Sequence, residues 1–169
     1  MAGSPDPTAR WAQALTDGAD YPVYVATASD GVERSGCLVG FVTQASIEPV
    51  RYLICLSKLN HTFPVARRSR GLALHLLGAD QKELARVFGE ETGDVVDKFA
   101  GLAWTTATTG APVLADCAGW IDGSILGQVD AGDHQAFLVA VVDGGPGSRQ
   151  GHLRRSDVTD FHPGHPAGR

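Results

Sequence analysis

Three short stretches hold residue types that chemistry can use. The first is 36–46 (GCLVGFVTQAS), an apolar strand-like run with Gly36 and Gly40 inside it and small hydroxyl residues at its end. A flat aromatic ligand lying along a strand edge is read by backbone N–H and C=O groups, and a glycine such as Gly40 lets a ring come close. An ordinary core strand with a bulge explains the same residues, and taken alone the segment favours that. The second is 57–62 (SKLNHT), which offers Ser57, Lys58, Asn60 and Thr62 ahead of a helical pattern. Helix N-terminal N–H groups and a lysine bind phosphate directly, while a plain helix cap beside a solvated lysine fits equally well. The third is 130–134 (DAGDH), ordinary hairpin-turn chemistry whose exit residue, His134, faces either a pocket or water.

Other chemistries are missing. The chain has no GxSxG, HExxH or P-loop pattern. Its six histidines include His162 and His165, three apart in a Pro/Gly tail, where solvated side chains are expected and a metal site is not. Cys37, Cys55 and Cys117 are an odd count without CxxC spacing, which argues against both a disulfide framework and structural zinc. A net charge of −5 disfavours a broad basic nucleic-acid face. No apolar run reaches the roughly 18 residues of a membrane span, and 1–10 lacks the apolar core of a signal peptide. A cytoplasmic protein with reduced thiols is expected.

The elements that must position these stretches follow from pattern. With 169 residues, 43% hydrophobic, 21 glycines and 9 prolines, one turn-rich β domain is expected. Residues 1–19 read as a lead-in with a short helix over 8–15, capped by Thr8 and with Trp11, Ala14 and Leu15 on one face. Strands are expected at 21–28, 32–43, 51–56 (buried on both faces), 72–77, 117–129 and 136–142, with a last strand or a stop at 152–158. Helices are expected after Asn60 or Thr62 to Arg70, from an Asp80 cap to about Gly89, and over 92–99. The domain is expected over 20–158 and a disordered tail over 159–169. Strands, a helical middle, then strands indicate a single antiparallel barrel with helices to one side, not a doubly wound sheet.

Taken in order, these motifs carry a resemblance. Gly36-Cys37-Leu38-Val39-Gly40-Phe41 is followed by Ser46-Ile47-Glu48-Pro49, Ser57-Lys58-Leu59-Asn60-His61-Thr62, Gly78-Ala79-Asp80-Gln81, Lys98-Phe99, 110–114 (GAPVL) and Ala131-Gly132-Asp133-His134. Over about 20–155 the chain resembles the flavin reductase-like family of FMN-binding split barrels. The resemblance implies a mainly β, Greek-key split β-barrel with a few peripheral helices in one domain, and a homodimer.

It also implies an NAD(P)H-dependent flavin oxidoreductase that passes hydride from nicotinamide to FMN or FAD and could supply reduced flavin to a monooxygenase. Leu38, Val39, Gly40 and Phe41 would border the flavin ring, Ser46 its ribityl or phosphate side, and Ser57, Lys58, Asn60 and Thr62 its phosphate. His134 would position the nicotinamide. Many members carry hydroxyl or amide residues where this chain has Leu38, Val39, Gly40 and Phe41, so contacts to the ring must run through main chain. Competing readings are an enzyme that keeps FMN and reduces an organic substrate, a flavin or haem carrier (with His61 or His75 as the haem ligand), and an empty barrel.

Overall fold

The computed structural model describes residues 6–164. Seven antiparallel strands form one sheet: β1 (Tyr24–Ser29), β2 (Arg34–Val39), β3 (Val42–Ser46), β4 (Arg51–Ser57), β5 (Gly71–Leu76), β8 (Gly119–Asp130) and β9 (His134–Pro146). Their spatial order is β2-β1-β5-β8-β9-β4-β3. A small hairpin, β6 (Trp104–Thr106) and β7 (Pro112–Leu114), lies beside it. The helices are α1 (Pro7–Gly18), α2 (Thr62–Arg68) and α3 (Lys82–Glu90), with a 3-10 turn at Arg155–Val158.

Successive strand residues face opposite ways, and β1 uses both faces. Ala26 and Ala28 point into the barrel with Ile54, Leu56, Leu72 and Phe137. Val25 points outward into a second cluster with Leu77, Ala85, Phe88 and Leu114, which α3 covers. β2 and β3 are consecutive in the chain yet stand at opposite edges of the sheet. Only Gly40 and Phe41 separate them, so the edges meet at that corner and part beyond it. Phe41 fastens the corner by accepting the Cys55 N–H at 2.9 Å. The barrel is therefore split.

Several expectations are corrected. The run 32–43 is two strands, because the chain turns the corner at Gly40, where the Tyr21 ring leaves no room for a Cβ. β4 is not buried on both faces: Ile54 and Leu56 are buried, while Leu53 and Cys55 are half-buried. α1 is capped by Asp6, which accepts the Thr8 N–H at 3.0 Å, and not by Thr8. Its Trp11 and Leu15 do not pack but stand 69% and 79% exposed. Asp80 pairs with Arg149 at 2.7 Å and caps nothing, and Gln81 precedes α3 instead. The segment 92–99 is turns, because Asp94 is drawn to His61 at 2.5 Å and Asp97 to Arg34 at 2.9 Å. At 152–158 a single bridge, Pro22 to Arg154, precedes the 3-10 turn. The first part of the expected tail is placed: Phe161 packs on the α3 cluster and His162 N donates to Glu90 at 2.8 Å. Residues 165–169, with His165, lie outside the described residues.

Candidate active site

The split leaves a cleft of about 450 Å³ beside the β2–β3 corner. Its volume falls in the range of small-molecule sites, roughly 300–1,000 Å³. One wall is β2, with Leu38 and Val39, continuing through Gly40 and Phe41. The opposite wall is the end of α3, Phe88 and Gly89, extended by Phe161. Gly89, having no side chain, lets α3 come close to Leu38 and Phe161: a Cβ there would stand 3.1 Å from Leu38 and 3.3 Å from Phe161.

The polar end is built by strand pairing. In the antiparallel register of β4 and β9, Ser57 lies opposite His134. Two motifs 77 positions apart in sequence thereby become neighbours. Ser57, Asn60 and His134 all line the cleft. His134 Nδ1 shares a 2.7 Å hydrogen bond with Asp133, and its ring lies 5.1 Å from that of Phe41, tilted by 58°. The hydrogen bond to His134 holds the Asp133 carboxyl below the usual carboxylate range. The Lys58 backbone N–H donates to the Asp133 carbonyl at 2.9 Å, which joins the loop to the turn.

Three of the expected residues lie elsewhere. The Lys58 ammonium donates to Asp130 at 2.8 Å and does not line the cleft. Thr62 is buried, its hydroxyl 2.9 Å from that of Ser35. Ser46 pairs with Arg51, six residues along β4 from Ser57, or about 20 Å by strand rise. Asn60 spends its carbonyl oxygen on the Thr62 N–H at 3.0 Å and keeps its amide N–H₂ free for the cleft.

One cation of the cleft has no sequence signal. Arg155 enters from the 3-10 turn and is held by Asp17 at 2.8 Å. It sits in a stretch with no recognisable motif, and only the fold brings it beside Tyr21, whose carbonyl accepts the Arg155 N–H. Burial disfavours the thiolate at both cleft cysteines: it pushes Cys37 up to about 11 and raises Cys55 above its usual value. The two histidines considered for haem have both ring nitrogens engaged, His61 by Glu33 and Asp94, and His75 by Val25 O and Leu114 N.

An antiparallel barrel opened at one corner, with an apolar cleft at the split and polar groups gathered at one end, defines a split barrel with a cleft of small-molecule size. The chain belongs to the flavin reductase like domain family, whose model matches residues 17–156. It is 29% identical over 120 residues to FMN reductase (NADH) RutF of Bradyrhizobium diazoefficiens, a match covering 71% of this chain and 66% of that one. It is 30% identical over 121 residues to the stachydrine N-demethylase reductase subunit of Rhizobium meliloti, covering 71% and 51%. The fold superposes on the NADH:FAD oxidoreductase of Streptomyces globisporus with a TM-score of 0.74 and 27% identity, covering 86% of this chain and 88% of that one. The chain thus spans under two thirds of the length of these two curated relatives.

Proposed function

We propose that this chain is an NAD(P)H-dependent flavin oxidoreductase, with FMN or FAD held in the cleft at the split. The observation that carries this reading is an apolar cleft with Ser57, Asn60 and His134 gathered at one end and Arg155 also on its lining, in a member of this family. When bound, the flavin would supply a two-electron acceptor for the hydride of the nicotinamide.

The protein's task is then placement. β2 is an edge strand, so every second residue turns its backbone polar groups away from β1 and toward a ligand. This supports a ring edge read by main chain at Leu38 to Phe41, where side-chain donors are absent. Ser57, Asn60 and Arg155 offer a hydroxyl, an amide and a guanidinium to the ribityl and phosphate groups. His134, fixed by Asp133 and Phe41, is the positioning residue for nicotinamide. His134→Ala is expected to raise the NAD(P)H KM about tenfold with FMN binding retained, since it removes a binding contact and no reacting group. An unchanged KM in that variant would take His134 out of the site.

A homodimer is part of this proposal. A groove beside the corner is lined by Leu15, Tyr21, Phe41, Val42 and Leu53, and Phe41 is 51% exposed. A second copy laid there covers these side chains and the open side of the cleft. Phe41→Asp is expected to convert a dimer to monomers in sedimentation at micromolar concentration; a monomeric wild type would contradict the dimer.

The stachydrine relative, a reductase subunit of a demethylase, supports a role in which this chain passes reducing equivalents to a separate enzyme, and a monooxygenase is the partner proposed. Three free cysteines fit a reducing compartment such as the cytoplasm. No helix among the described residues is long and apolar enough to cross a membrane. The activity is tested by steady-state oxidation of NADH and NADPH with free FMN or FAD: protein-dependent loss of nicotinamide absorbance supports it, and none with any pair refutes it.

A further inference from the structure

Behind the cleft lies a cation that the placement argument does not use. Lys98 is 6% exposed and forms no ion pair among the described residues. Its ammonium donates to Gly36 O at 3.2 Å and to Phe88 O at 3.1 Å, and stands 5.9 Å from the centre of the Phe88 ring. Both acceptors belong to cleft walls. Gly36 precedes Cys37 and Leu38 on β2, and Phe88 precedes Gly89 on α3.

The placement is costly for a structural tie. An ammonium taken out of water without a carboxylate beside it loses much of its hydration, and two carbonyl acceptors return only part of that. The two carbonyls, the Phe88 ring face and the negative end of the α3 dipole hold the charged form in place. Burial draws the lysine below its usual pKa, and Glu91, the carboxylate that acts on it from outside ion-pair distance, offsets this only in part. The other basic side chains near the cleft are already matched: Arg155 by Asp17, Lys58 by Asp130 and His134 by Asp133.

We propose that Lys98 is the unneutralised positive charge of the cleft, placed one backbone strand behind its walls to favour negative charge on the ligand within. The inference rests on the flavin reading above: reduction adds negative charge to the ring, so Lys98 favours the reduced over the oxidised flavin. It acts through the field it casts across the wall and touches no ligand, which makes it a positioning residue.

The test compares three substitutions. Lys98→Arg keeps the charge, Lys98→Gln keeps a donor without charge, and Lys98→Met keeps neither. For each, binding constants for oxidised and reduced FMN are measured anaerobically. In K98Q and K98M the affinity for reduced FMN is expected to fall about tenfold more than that for oxidised FMN, the order of one unit charge acting through protein across a strand. That tenfold is a fall of about 30 mV in the two-electron potential of bound flavin. K98R is expected to keep the wild-type ratio. Equal weakening of both forms in K98Q and K98M would overturn the proposal and leave Lys98 a structural tie. If K98M does not fold, K98Q against K98R decides. If wild type binds no flavin, the flavin reading fails, and the charge is judged without it. Anilinonaphthalene sulfonate and its uncharged N-phenylnaphthylamine analogue are then titrated into wild type and K98Q. Selective loss of the anionic probe supports the cleft charge, and equal binding overturns it.

Discussion

Phe88→Ala is expected to cost about 3–5 kcal/mol of stability, the usual toll for an aromatic ring deleted from a core. The ring is 1% exposed. It lies so close over Gly36 that a Cβ there would stand 2.8 Å from it, and it meets Phe99 edge-on at 5.6 Å. Such a pair adds about 0.5–1.5 kcal/mol beyond burial. Phe88 is also where the second core cluster reaches the cleft. Its loss leaves a void between α3 and β2 that joins the ligand space, so FMN affinity should fall together with stability. Urea denaturation checks the first effect and an FMN titration of the folded fraction the second. A stability loss below about 1 kcal/mol would show that α3 does not pack on β2 as described.

The second large effect is a pH dependence that belongs to one residue. His75 is fully buried on β5. Its Nε2 accepts the Leu114 N–H at 3.0 Å, so Nδ1 carries the proton and donates to Val25 O at 3.0 Å. The neutral ring thus ties the β6–β7 hairpin to the barrel. Desolvation holds its pKa down at about 4, against 6.5 for a free histidine. A pKa lowered by folding means that the unfolded chain takes up the proton first as pH falls. The stability from the neutral ring is full above pH 6.5 and is lost progressively down to about 4, by about 3 kcal/mol in all. Below that, carboxylates such as Asp30, held at about 2 chiefly by the N–H groups of Glu33 and Val32, begin to lose theirs. His75→Asn is expected to lower stability at pH 7.5 and to flatten the slope between pH 6.5 and 4. An unchanged slope in that variant would assign the dependence to other groups.

Most of the barrel was legible because its strands are dense in β-branched and aromatic residues between glycine-rich turns. β9 is the clearest case, carrying AFLVAVV in its middle. The hairpin of β6 and β7 is not legible in the sequence, because three residues per strand are too few to show alternation. The helix expected over 92–99 failed for a tertiary reason: Asp94 and Asp97 satisfy distant bases, and Gly93 fits against the His61 ring. Of the site, Leu38 to Phe41, Ser57, Asn60 and His134 stood out by residue type and order. Arg155, Phe161 and the wall at Gly89 did not, because only folding carries them to the cleft. Lys58 was visible as a cation, but sequence does not show that Asp130, 72 residues on, takes its charge.

In the proposed function the cleft at the split binds a flavin and brings a nicotinamide against it. This is tested most directly by an anaerobic titration of the purified protein, first with FMN or FAD and then with NADH or NADPH, followed by visible absorbance. Saturable flavin binding is expected, then bleaching of the flavin bands much faster than in free solution. A flavin that never binds, or that binds and keeps its colour with both nicotinamides, would contradict the proposal.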